Sequence, residues 1–174
     1  MKYCSNCSQP VVFKEVEGDS HLRFVCDECE TIHYQNPRII VGCLPVWEDK
    51  VLLASRAIEP RSGFWNVPGG FMENGETMKE GAAREVMEET FANVKVTRLF
   101  TTFAIPKINQ VHIHFLGELQ NLDFKPGIES IEVKLFLKSE IPWDDIAFHS
   151  SKFTLENYFA MRNTEIQEVF SSFI

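Results

Sequence analysis

Residues 70–92 read GFMENGETMKEGAAREVMEETFA, an acidic run that opens on glycine and closes on an apolar pair. Six glutamates stand in it against Lys79 and Arg84, which is half of the net charge of −8 carried by the whole chain. Thr77-Met78-Lys79-Glu80 has the form of a capping box, so a helix is expected to begin at Thr77. On that helix Glu85, Glu88 and Glu89 fall at i, i+3 and i+4, and three carboxylates share one face. On an exposed face such like-charge pairs cost about 0.2–0.5 kcal/mol each, and read alone the three are a solvated surface. In a cleft with an effective dielectric of about 20, each pair at about 5 Å would cost roughly 3 kcal/mol. A cleft would therefore demand cations, and carboxylate-only clusters select hard ions such as Mg²⁺ or Mn²⁺.

The helix is preceded by Pro68-Gly69-Gly70-Phe71 and an Asn74-Gly75 turn, where glycine lets backbone carbonyls approach a ligand closely. Further out the texture is mixed strand and helix. Strands are expected at 39–47, 51–54, 94–104, 111–119 and 132–137, with a closing helix over 153–161. The first of these is nearly continuous in apolar residues, as a central strand is. His112 and His114 share one side of their strand and read as polar surface; Cys43 reads as a small buried hydrophobe. Trp65 reads as core.

Residues 1–34 differ in character. Cys4 and Cys7 form one C-x2-C pair, Cys26 and Cys29 another, with eighteen residues between the pairs. That spacing is a zinc-site pattern, in which two tight turns bring four sulfurs to one structural Zn²⁺. Short strands at 11–13 and 22–25 around Gly18-Asp19 make it a zinc ribbon, too small to fold without its metal. Lys2, Lys14 and Arg23 face six carboxylates in this segment, the wrong sign for a nucleic-acid ribbon.

Counting from Gly70, five residues lead to Glu76 and seven more to Arg84-Glu85-Val86-Met87-Glu88-Glu89. This resembles the Nudix box, G-x5-E-x7-R-E-U-x-E-E-x-G-U, where U is a bulky aliphatic. Gly70, Glu76, Arg84, Glu85, Val86, Glu88 and Glu89 all match. Phe91 stands where the family has glycine and Ala92 where it has a larger aliphatic. Glycine there supplies a left-handed helix end; phenylalanine enters that conformation only at a steric cost, so the helix is expected to run on and stop near Asn93.

The resemblance implies an α+β chain: a zinc ribbon over 1–34, then a Nudix fold over 37–165, an α/β/α sandwich with a mixed sheet. It implies hydrolysis of a nucleoside diphosphate linked to another group. Glu85, Glu88 and Glu89 become the carboxylates that bind Mg²⁺ or Mn²⁺, with the Gly70 carbonyl as a further ligand. Glu76 and Arg84 become a structural ion pair. The general base is either a glutamate of the box or one on a later loop, here Glu129, with Glu132 placed in the following strand. Arg56 and Arg61 are candidate phosphate contacts, since guanidinium binds phosphate bidentately; surface solubility explains them equally well.

The pairing of ribbon and box resembles two groups. The NADH pyrophosphatases carry a Ser-Gln-Pro-Trp-Pro-Phe-Pro signature that does not occur here. The other group acts on FAD and ADP-ribose, and residues 32–37 (IHYQNP), 56–61 (RAIEPR), 106–111 (PKINQV) and 140–143 (EIPW) look like it. The expected substrate is therefore ADP-ribose or FAD, with an NADH pyrophosphatase or a non-catalytic nucleotide sensor as the alternative. The acidic balance speaks against nucleic acid as a partner, and no run of 18 apolar residues spans a membrane. The start lacks a signal core, and paired cysteines suit a reducing compartment, so a cytoplasmic location is expected. A homodimer is compatible with the sequence.

Overall fold

Val12–Lys14 (β1), Arg23–Val25 (β2) and Ile32–His33 (β3) pair antiparallel into a small three-stranded sheet. This sheet belongs to the first of two units, Met1–Pro37 and Arg38–Ile174, in a computed structural model that describes residues 1–162, 164 and 168–174. Each cysteine pair lies in a tight turn, and the residue after each second cysteine, Ser8 or Glu30, has a left-handed backbone. The Ser8 N–H donates to Cys4 O at 3.0 Å and the Cys26 N–H to Thr31 O at 3.0 Å, closing both turns.

The second unit is a mixed sheet with a helix on each face. Its strands are Arg38–Trp47 (β4), Lys50–Arg56 (β5), Trp65–Asn66 (β6), Gly69–Phe71 (β7), Val94–Ile105 (β8), Gln110–Leu119 (β9), Ser130–Phe136 (β10) and Phe170–Phe173 (β11). The helices are Met78–Thr90 (α1) and His149–Met161 (α2). The main order is β10-β5-β4-β9-β8-β11, with β6 paired to β5 and β7 to β4. β4 runs parallel to β9 and β8 parallel to β11; the other neighbours are antiparallel. The central strands alternate their side chains between two cores, as a period of two requires. Val41, Cys43, Leu52 and Phe115 join Ala82 and Val86 of α1 on one side. Leu44, Val51, Leu53 and Phe100 join Leu155, Tyr158 and Phe159 of α2 on the other. Trp65 packs on this second core, edge-on to Phe136 at 4.8 Å. Among the described residues no helix is long and apolar enough to cross a membrane.

α1 begins as the capping box dictates. The Glu80 N–H donates to Thr77 Oγ1 at 3.3 Å, and the Thr77 N–H donates back to Glu80 Oε2 at 2.8 Å. Its end corrects the expectation. The helix stops at Thr90 rather than near Asn93, and Phe91 itself takes the left-handed conformation (φ 51°, ψ 14°). α2 starts at His149, four residues ahead of the expected point, because the hydroxyls of Ser150, Ser151 and Thr154 find partners inside the fold. Those same hydroxyls account for His112 and His114, which are buried under α2 rather than exposed. The segment after Arg162, unassigned from sequence, includes β11.

Candidate active site

The loop carrying β7 and the buried edge of α1 meet at the acidic run. At its centre Arg84 uses all five N–H donors. Nε and Nη2 grip Glu76 bidentately at 3.0 and 2.9 Å, Nη2 also reaches Phe71 O at 3.0 Å, and Nη1 reaches Glu85 at 2.8 Å and Glu88 at 3.1 Å. Arg84 and the Glu73 N–H, which donates at 2.7 Å, hold the Glu76 carboxyl down at about 2. The paired carboxylates in turn raise Arg84.

Gly70 lies against Glu85. A Cβ at this position would stand 2.6 Å from both Glu85 carboxylate oxygens, so only glycine lets backbone and carboxylate share the space. Glu89 is nearly buried, at 9% exposure. Burial first, and then the neighbouring Glu85 charge, pushes its carboxyl up to about 8, with Arg56 and the Gly69 backbone opposing and Glu129 adding repulsion. Burial also raises Glu85. An acid held this far above its ordinary range lies where a positive charge is wanted. The donors are oxygens throughout, the set that hard divalent cations prefer, but among the described residues the carboxylates do not converge as a trio within 4.8 Å. Glu88 is the outward member, its side chain 57% exposed and tied to Arg84.

Arg56 and Glu129 therefore share the electrostatic environment of Glu89. Arg56 Nε donates to Pro60 O at 2.9 Å, and its guanidinium lies over the Phe148 ring at 4.9 Å. Glu129 is exposed, and its carbonyl accepts from the Ala57 N–H at 2.8 Å. Arg61 is not brought to the cluster: its guanidinium lies over Phe64 at 5.3 Å, and among the described residues it has no hydrogen bond to the glutamates. Glu132 is in β10, as expected. The sequence reading did not single out Lys125 and Gly127, whose amides meet the end of α1.

Among the described residues the one group of at least three potential ligands with donor atoms within 4.8 Å of one another is Cys4, Cys7, Cys26 and Cys29. The Cys4–Cys29 and Cys7–Cys26 sulfurs are 3.6 and 3.4 Å apart. A tetrahedral shell with Zn–S of about 2.3 Å has an edge of about 3.8 Å, so the quartet fits zinc after slight expansion. Thr31, through its side chain and backbone, lowers the Cys29 thiol to about 6, and His33 Nε2 lies 3.3 Å from Cys4 Sγ. Both are contacts that support thiolate ligands.

Comparison with known proteins adds four findings. The model of the NUDIX domain matches residues 36–154, and the zinc-ribbon model described as Nudix N-terminal matches residues 2–35. A crystal structure of a NUDIX hydrolase from Nitrosomonas europaea superposes with a TM-score of 0.95 at 48% identity, covering 100% of this chain and 99% of that one. The NAD-capped RNA hydrolase NudC of Photobacterium profundum is 32% identical over 145 residues, 80% of this chain and 51% of that protein. The ADP-ribose pyrophosphatase of Methanocaldococcus jannaschii is 29% identical over 134 residues, 75% of this chain and 78% of that protein. The chain spans about half the length of the NudC relatives it matches. With the box on its helix, the sandwich around it and the family models on both segments, this chain belongs to the Nudix hydrolases and carries their zinc-ribbon N-terminal segment.

Proposed function

We propose that this chain is a Mg²⁺- or Mn²⁺-dependent pyrophosphohydrolase acting on nucleoside diphosphate derivatives, ADP-ribose or FAD first among them. The observation that carries this reading is the buried Glu89 carboxyl beside Glu85, with the Gly70 backbone pressed against Glu85. Glu85, Glu88, Glu89 and the Gly70 carbonyl would hold the ion; when bound, it neutralises phosphate charge and lowers the pKa of a coordinated water. Water oxygen bonds to one phosphorus, the bridging P–O bond breaks with its electron pair leaving on the other phosphate, and the water proton passes to a carboxylate. Glu129, sharing the field of Glu85 and Glu89, would take that proton. Arg56 would steady a phosphate. The Arg84–Glu76 pair holds the loop to α1. ADP-ribose would give AMP and ribose 5-phosphate, and FAD would give AMP and FMN. Structural zinc on the four cysteines suits a reducing, cytoplasmic setting.

Relatives named NAD-capped RNA hydrolase favour a second reading, in which the same diphosphate is presented on an RNA end. It sets aside the expectation of no nucleic acid for the 5′ terminus alone, since the chain's charge of −8 offers little to a long phosphate backbone.

Purified protein with ADP-ribose, FAD, NADH and NAD-capped RNA, each with Mg²⁺, Mn²⁺ or a chelator, tests both. ADP-ribose or FAD should turn over fastest and the chelator should stop it. Glu88→Gln should lower kcat by more than the roughly 10–100-fold that loss of an outer-shell partner brings. Fastest cleavage of the capped RNA would favour the second reading, and an unchanged rate in Glu88→Gln would remove its assigned role.

A further inference from the structure

α1 lacks the glycine end of its family motif, yet its last carbonyls are not left open. The Lys125 N–H donates to Thr90 O at 2.9 Å and the Gly127 N–H donates to Glu89 O at 2.9 Å. The loop leading to Glu129 is thus hydrogen-bonded to the end of the helix that carries Glu85, Glu88 and Glu89. Gly127 is seated so closely that a Cβ there would fall on the Glu88 carbonyl oxygen. Two residues on, Glu129 O accepts from the Ala57 N–H, and Ser130 enters β10 opposite Arg56. Beside these anchors a side-chain contact joins the loop to the helix end: Lys125 Nζ lies 4.6 Å above the centroid of the Phe91 ring. That distance is within the range of cation–π attraction.

We propose that Phe91 and Lys125 form a clamp that sets the position of the Glu129 loop over the carboxylate face of α1, so that Phe91 is a positioning residue for hydrolysis. This rests on the reading of Glu129 as the base. A glycine at 91 would enter the left-handed turn without steric penalty, whereas phenylalanine enters it against one. Its ring compensates through Lys125, whose own amide caps Thr90. The clamp therefore acts on geometry at the reacting atoms rather than on the stability of the helix end.

The test uses the full chain, with ADP-ribose and Mg²⁺ for kinetics and amide hydrogen exchange as a readout independent of turnover. In Phe91→Gly and Lys125→Met the Lys125 and Gly127 amides should exchange about tenfold faster, with Val86 in mid-helix unchanged. kcat should fall about tenfold at constant KM, the double variant should fall no further than either single one, and Phe91→Tyr should restore both readouts. The melting temperature of Phe91→Gly should not fall, which separates positioning from a structural role. Native protection of both amides in Phe91→Gly overturns the clamp whatever the kinetics. A slow Glu129→Gln alongside clamp variants of native kcat overturns the clamp alone. Native kcat in Glu129→Gln overturns the base assignment and the clamp together.

Discussion

Arg84 shows how one side chain can organise the groups around it. Its five donors join Phe71 and Glu76 to the helix residues Glu85 and Glu88, so the segment from β7 to the helix start is tied to α1. Gly70 is the counterpart on the loop, since its missing side chain is what admits the Glu85 carboxylate. In Gly70→Ala the added Cβ would stand 2.6 Å from that carboxylate, which Arg84 prevents from swinging away. Turnover should fall by about 10²-fold, the scale of a 1 Å misplacement, with circular dichroism and melting temperature near native. Native activity in that variant would mean the loop adjusts and the close approach carries no function. The shared face of Glu85, Glu88 and Glu89 was legible in the sequence because a rigid helix fixes spacing, whereas Gly70, Glu76 and Arg84 were legible only through their match to the Nudix box. Lys125 and Gly127 were not, because they reach α1 through backbone amides, which any residue except proline carries.

The same contrast separates the two faces of β9. Phe115 lies under α1 and follows the apolar pattern. His112 and His114 lie under α2 in a polar seam that alternation cannot distinguish from a solvent face. His112 hydrogen-bonds with Ser150 at 2.8 Å and Gln110 at 3.1 Å. Thr154 Oγ1 donates to Ser150 O at 2.9 Å, leaving its lone pairs for Thr101 at 2.6 Å and for the His114 Nδ1–H at 2.7 Å. Burial lowers both histidines, His112 to about 4 and His114, also beside His112, to about 3. Both are neutral in the folded chain, while in the unfolded chain they take up protons below about pH 6.5. Their contribution to stability is therefore complete above about pH 6.5 and is lost as pH falls toward 4. At pH 5 each should have lost about 2 kcal/mol by linkage. The urea midpoint should drop between pH 7 and pH 5, and His114→Gln, which keeps a donor toward Thr154 but does not titrate, should show a shallower slope. Equal slopes would mean that His114 is not held neutral by the fold.

Across the whole molecule the two units are stabilised by different means. Arg38–Ile174 buries two apolar clusters, one on each face of its sheet, enough for a core without metal. In Met1–Pro37 the buried apolar residues among those described are Cys4, Val25 and Cys26, while Tyr3, Phe13 and Tyr34 stand largely exposed. Three strands of two or three residues and three small buried side chains cannot offset the chain entropy of some 37 residues. The free energy must come from elsewhere, and a tetrathiolate zinc site supplies on the order of 10 kcal/mol. The cysteine spacing made this legible, because metal geometry dictates it more tightly than packing dictates a strand. The extra pairing of β11 beside β8 was not, since a four-residue parallel edge strand takes its conformation from its neighbour. Cys26→Ser should reduce bound zinc from about one per chain to nearly none. Hydrogen exchange should then show residues 1–37 unprotected while β4, β5 and β9 keep native protection, and a strong chelator should reproduce that pattern in the unaltered protein. If the unaltered protein contains no metal and its first 37 residues are nevertheless protected, something other than zinc holds the ribbon.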